Sequence, residues 1–215
     1  MKEKLKEEQL KLAKEVITKD EFKKIELVAG IEQSFIENKI ISGIIVLKKK
    51  KIIEKKYAVV ESKFPYMPGY LFYREGPAIL EAYNSLENKP DLIFINGNGI
   101  LHPRRIGIAS HIGLLLDKPT IGIAKKLLIG KEKGNEIEVE NEIRAIRIIP
   151  KEFAKPIYVS PGHKISLRTA FKITKDFLDG THKLPEPLKL AHKYAEKIKE
   201  KIKNKENNSD INDSP

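Results

Sequence analysis

The apolar positions of this chain keep three different rhythms in succession. Up to about Phe22, the residues Leu5, Leu10, Leu12, Ala13, Val16 and Ile17 recur among charges at roughly helical spacing, which predicts an N-terminal helix within residues 1–24. Residues 25–35, 39–47 and 51–60 are then rich in β-branched and apolar side chains, separated by Glu37-Asn38 and by the lysine run at 48–51. Three such segments with short polar breaks predict an antiparallel meander. The pattern changes again after residue 64. A Pro- and Gly-rich loop over 64–69 leads to a predicted helix over 76–86, and an apolar strand over 92–95 ends at Asn96-Gly97-Asn98-Gly99. A helix over 103–116 and a second apolar strand over 120–124 follow, then strands over 143–149 and 157–159 and helices over 166–178 and 186–203. Strands with no polar face that alternate with helices belong in parallel βαβ units covered on both sides. Residues 204–215, NKENNSDINDSP, carry almost no apolar side chain and are expected to form a disordered polar tail.

The expected architecture is α/β. A mixed central sheet, meander plus parallel units, is flanked by helices in one domain over 1–203. With acidic residues at strand ends, this is the ribonuclease H-like pattern. The length of 215 residues suits one substantial core. Composition then removes several classes. No cysteine is present, which excludes disulfides and thiolate metal sites and fits a reducing cytoplasm. The opening MKEKLKEEQLK lacks the apolar core of a secretory signal, and no apolar run reaches the roughly 20 residues that cross a bilayer. A soluble, cytoplasmic monomer with no membrane partner is expected. The formal charge of +11 suits a polyanion such as nucleic acid, yet a lysine- and glutamate-rich surface produces the same number without one.

Four separated motifs decide between these. They are Val28-Ala29-Gly30-Ile31-Glu32-Gln33-Ser34-Phe35; the loop Phe64-Pro65-Tyr66-Met67-Pro68-Gly69-Tyr70 with Arg74-Glu75-Gly76-Pro77; Asn96-Gly97-Asn98-Gly99 through His102-Pro103-Arg104-Arg105 and Ser110-His111 to Ile123-Ala124-Lys125; and Gly162-His163-Lys164-Ile165-Ser166 with Leu190-Ala191-His192. In this order they resemble the endonuclease V family over most of the chain. The resemblance implies an endonuclease that recognises deoxyinosine in DNA or inosine in RNA. It implies cleavage one nucleotide 3′ of the lesion, in DNA repair, with Mg²⁺ or Mn²⁺ as cofactor.

The same resemblance implies a metal set of Glu32, Glu75, Asn96 and His192, since hard divalent cations held by oxygen ligands activate water and stabilise a leaving oxygen. Two of these depart from the family pattern, which has Asp where Glu32 and Asn96 stand. Glu32 reaches about 1.5 Å further than Asp, one C–C bond, and Asn96 brings a neutral amide oxygen. An inosine-binding protein with a weakened or inactive metal site is therefore the alternative to a working nuclease. A basic RNA-binding protein without inosine preference is a third reading. Lys125, at the end of a buried strand, is implied to stand beside the scissile phosphate. Pro65, Tyr66, Met67 and Pro68 form the implied wedge that fills the gap left by an extruded base. Gly97 and Gly99 are expected to present backbone N–H groups to the hypoxanthine carbonyl. His102, Arg104 and Arg105 are expected at a helix start, suited to phosphate or to ordering the loop, and Arg74 is placed with the substrate. Ser110-His111 is no hydrolase dyad, because adjacent helical residues do not face each other.

Overall fold

The computed structural model describes residues 2–212, with side chains as far as 205. Helix α1 (Lys2–Leu12) and a short 3₁₀ turn (Ala13–Glu15) precede strands β1 (Leu27–Ile36), β2 (Lys39–Lys48) and β3 (Lys51–Glu61). Helix α2 (Leu71–Asn84), strand β4 (Leu92–Asn96), helix α3 (Ile108–Leu116) and strand β5 (Thr120–Ala124) follow. The chain continues through β6 (Lys131–Lys133), β7 (Glu136–Val139), β8 (Glu142–Ile148) and β9 (Ile157–His163), and ends with α4 (Leu167–Asp176) and α5 (Glu186–Asn212). The strands form one sheet in the order β3-β2-β1-β4-β5-β9-β8-β7-β6. The first three strands are the antiparallel meander, β1, β4 and β5 run parallel, and β9 returns antiparallel to β5.

Alternation along the parallel strands divides the core between two faces. Ala29, Ile31, Ile93 and Ile95 pack against Ile79 of α2 and Ile112 of α3, whereas Val28, Phe94, Ile121 and Ile123 pack against Ala170 of α4 and Leu188 of α5. Helix α5 lies directly on β1, because a Cβ on Gly30 would come within 2.1 Å of the Pro187 carbonyl oxygen. Among the described residues no helix is long and apolar enough to cross a membrane.

Several boundaries differ from those the sequence suggests. The N-terminal helix stops at Leu12 instead of continuing toward 24. Val16 is needed against Ile100 and Ile106, and Phe22 and Ile25 against the α4–α5 face of the sheet, places one straight helix does not reach together. Helix α2 begins at Leu71, so Gly76-Pro77 falls inside it and is not its start. Helix α3 begins at Ile108 and not near 103, because Arg105 adopts φ +59° and its N–H closes a turn on the His102 carbonyl. Strand β9 runs on through Pro161 and Gly162 to His163, past the expected end at 159. The β6–β7 hairpin went unseen because its sequence, KEKGNEIEV, is nearly all polar. Helix α5 continues to Asn212, past the expected onset of a disordered tail at 204; residues 213–215 lie outside the described residues.

Candidate active site

Register brings the first group of side chains together. Ile31 pairs with Ile95, and Asn96 with Ile123, so Glu32 in the middle of β1, Asn96 at the end of β4 and Lys125 just past β5 lie at one level across three adjacent parallel strands. Their parity is that of Val28, Phe94 and Ile123, which places them on the face that α5 covers. Helix α5 contributes His192. Lys125 Nζ lies 2.8 Å from Glu32 Oε1, His192 Nδ1 lies 3.5 Å from the same oxygen, and the Asn96 side chain hydrogen-bonds Glu32. Glu32 is only 1% exposed, and its other oxygen, Oε2, is buried with no hydrogen-bond partner among the described residues. Burial raises the Glu32 carboxyl, against the lowering pull of the Lys125 and His192 charges. Glu75, in α2, is pushed up to about 7, first by burial and then by the charge of Glu32, with Arg74 opposing. Glu75, Asn96 and Lys125 line one cleft.

This donor set fits a hard divalent cation in its chemistry. Two buried carboxylates raise each other's cost, and one of their oxygens has nothing to bind. Among the described residues, however, no three His, Asp or Glu side chains are already gathered as a metal cluster. Lys125 and Asn96 knit Glu32 in their place.

Beside this cleft the loop 64–69 is tied at both ends. Arg74 Nη1 donates to the Phe64 carbonyl at 2.6 Å. At the other end three donors meet the Gly69 carbonyl: Gln9 Nε2 at 3.1 Å, Arg104 Nη2 at 2.7 Å and His102 Nε2 at 3.0 Å. Gly69 has φ +79°, where a side chain is strained and where an added Cβ would strike Arg104. Gln9 also accepts from Arg104 Nε and is 1% exposed, the one buried residue of a helix that is otherwise Lys, Glu and Leu. Sequence reasoning missed Gln9; a single uncharged amide in a run of Lys and Glu is its only trace. Between these ties Tyr66 stands 71% exposed.

Of the two uses expected for the arginines, Arg104 takes that of ordering the loop, while the glycines are used differently from expectation. His102, Arg104 and Arg105 lie in the turn before α3, not at its start. Arg104 serves the loop and stacks over Tyr70, while Arg105 forms a forked pair with Glu142. The N–H of Gly97 donates to the Ile123 carbonyl and that of Gly99 to Ser160 Oγ, so neither is free for a base. Gly122 shows why this loop is glycine-rich: a Cβ there would come within 2.3 Å of the Gly99 nitrogen. The loop lies flat on β5. Asn98 lines an apolar cavity with Tyr66, Met67, Pro68, Phe72 and His102, and its Oδ1 is buried with no hydrogen-bond partner among the described residues. Asn98 was not singled out from sequence, where it read as part of a turn.

Two histidines near the cavity are buried as neutral rings. His102 Nδ1 accepts from the Arg104 N–H, so Nε2 carries the hydrogen given to Gly69. Burial, then the Arg104 charge, lowers it to about 4. His111 stacks on Phe72 at 3.5 Å between centroids and is lowered to about 4 by burial; the adjacent Ser110 Oγ has no partner. Since the unfolded state protonates first, near pH 6.5, stability should fall as pH drops from there toward about 4, by on the order of 3 kcal/mol for each ring. Urea titrations of the unaltered protein and of His111→Phe at pH 7 and pH 4.5 check this. The variant should lose less stability on acidification, and equal losses would contradict the assignment.

The sequence matches the Endonuclease V family over residues 10–193. It is 43% identical over 196 residues to an endonuclease V of Dictyoglomus thermophilum, covering 86% of each chain. The structure resembles Bacillus subtilis endonuclease V with a TM-score of 0.87 at 28% identity, covering 95% of this chain and 94% of that one. It also resembles Ciona intestinalis endonuclease V, solved in complex with a 24mer DNA containing an inosine followed by a ribo-adenosine, with a TM-score of 0.83 at 31% identity over 94% of this chain and 100% of that one.

Proposed function

Because the chain belongs to the endonuclease V family, we propose that it is a divalent-metal-dependent nuclease that recognises inosine in a nucleic-acid strand and hydrolyses the phosphodiester one nucleotide to its 3′ side. The observation that carries this reading is the convergence of Glu32 of β1, Asn96 at the end of β4, Lys125 just past β5 and His192 of α5, next to a cavity bordered by a loop tied at both ends. Glu32, Glu75, Asn96 and His192 would hold Mg²⁺ or Mn²⁺, and the cation would supply acidification of a water and charge neutralisation at the leaving 3′ oxygen. Lys125 supplies positive charge beside the scissile phosphate. Arg74, Arg104, His102 and Gln9 hold the loop, so that Tyr66 keeps its place in the stack after the base leaves it. The extruded base enters the cavity. Hypoxanthine carries a hydrogen on N1, where adenine has a lone pair, and Asn98 Oδ1 is a buried acceptor without a partner. Adenine set against it leaves both acceptors unpaired, which is how a polar site rejects the wrong group. A binding-only protein is not favoured, since it gives no use for two carboxylates buried at mutual cost.

The test is strand cleavage of inosine and adenosine oligonucleotides, as DNA and as RNA, with Mg²⁺, Mn²⁺ or chelator. Nicking is expected only with inosine and a cation. No nicking with either cation contradicts the nuclease, and equal cutting of adenosine contradicts the inosine reading. In the same assay Tyr66→Ala should reduce the ratio of inosine to adenosine binding by roughly 5- to 100-fold, the range of one base–aromatic stack. Gln9→Leu should lower it in the same direction by loosening the loop. An unchanged ratio in Tyr66→Ala removes the wedge from the account.

A further inference from the structure

A groove runs between β3 and residues 194–205 of α5. Its floor is Ile198 and Ile202, and its walls carry Lys55, Lys197, Lys201 and Lys205 with Tyr57 and Tyr194. The three helical lysines recur every four residues, about 6 Å apart along one face. Lys55 and Tyr57, two apart on a strand, face the same side. Tyr57 is 48% exposed and is held edge-on by Tyr194, with centroids 6.3 Å apart and planes at 75°. Neighbouring lysines are paired: Lys56, on the opposite face of β3, with Glu54 and Glu87, and Lys199 with Glu196. The four groove lysines have no acidic partner among the described residues. A row of uncompensated cations along a concave surface with an exposed ring is the arrangement that single-stranded nucleic acid binds, phosphates on the lysines and a base on the aromatic face.

We propose that this groove is a second nucleic-acid site, which holds the single-stranded flank of the substrate outside the inosine. It rests on the reading above only in taking nucleic acid as the ligand. Position supports it. Tyr57 pairs with Gly43 and Gly43 with Glu32, so the groove stands two strands, about 10 Å, from the active centre. The same helix that presents the lysines presents His192 to Glu32. A single strand is the occupant because a duplex hides the base faces that Tyr57 would meet.

The experiment is equilibrium binding in chelator, over a salt series, of a long inosine strand and a short one that ends beside the inosine. The probes are the unaltered protein, the triple variant Lys55→Gln/Lys197→Gln/Lys201→Gln, its Lys→Arg counterpart, and Tyr57→Ala with Tyr57→Leu. For the long strand, the triple Gln variant should lower the slope of log affinity against log salt by about 2, near 0.7 for each lysine, and the Arg variant should restore it. Both Tyr57 variants should weaken long-strand binding by roughly 5- to 100-fold, Leu included, since it keeps the packing on Tyr194 without the ring. The short strand should bind all proteins alike. An unchanged slope, equal losses on both strands, or a greater loss on a long duplex overturns the proposal. If the unaltered protein nicks nothing while the Gln variant still loses long-strand affinity, the nuclease reading fails and the groove stands.

Discussion

Glu75→Gln is expected to reduce the rate of inosine-strand nicking by about 10²- to 10³-fold, the usual cost of removing one preorganised charge partner, while leaving the metal-free protein no less stable. The two halves of that result have one origin. Glu75 is 6% exposed and is pushed up to about 7 by burial and by the charge of Glu32. Such a residue destabilises the fold whenever it is ionised. Glutamine keeps the shape of the side chain, removes the like charge, and relieves Glu32. It also removes an anionic oxygen from the proposed cation site. Loss of activity with retained or raised melting temperature in chelator is the signature of a charge kept for function. A variant that melts well below the unaltered protein would mean that Glu75 is structural. One that nicks at an undiminished rate would remove Glu75 from the metal set.

How far sequence carried this reading differs from element to element, for physical reasons. The strands at 92–95 and 120–124 were plain, because they are buried on both faces and their sequences contain nothing else. From them followed the parallel core and hence the positions of Asn96 and Lys125. The β6–β7 hairpin lies at the sheet edge with solvent on most of its side chains, so no apolar rhythm announces it. The expected strand at 157–159 stopped short of Pro161 and Gly162, yet Gly162 is a glycine because a Cβ would come within 2.1 Å of Thr120 Oγ1, a constraint that exists only after β5 and β9 meet. The same limit applied within the site. Motifs located Glu32, Glu75 and His192, but which N–H groups of residues 97 and 99 were already taken depended on Ile123 and Ser160, residues distant in the chain. Gln9 and Asn98 were invisible for the converse reason. Each is an ordinary amide whose importance lies entirely in what surrounds it.

Asn96→Asp is expected to lower the stability of the metal-free protein, to raise its affinity for Mg²⁺ by on the order of 10²-fold, and to raise the nicking rate. In the structure the Asn96 amide hydrogen-bonds the Glu32 carboxylate and favours its ionised form. An Asp there turns that contact into repulsion, with Glu32 buried and already paired with Lys125. A full charge a few ångströms from a divalent ion, at an effective dielectric near 20, is worth several kcal/mol before desolvation is subtracted, which leaves about the factor stated. The rise in melting temperature on adding Mg²⁺ should therefore be larger for the variant than for the unaltered protein. Adding Glu32→Asp should change the rate further but not by a simple product, because the two side chains touch. Asn96 precedes Gly97, and deamidation at such a pair yields the variant spontaneously, so the unaltered protein must be verified by mass before each assay. If verified Asn96 protein shows the same Mg²⁺-induced shift and the same rate as Asn96→Asp, the amide oxygen is a full substitute for the carboxylate. The departure at 96 would then have no electrostatic consequence for the site.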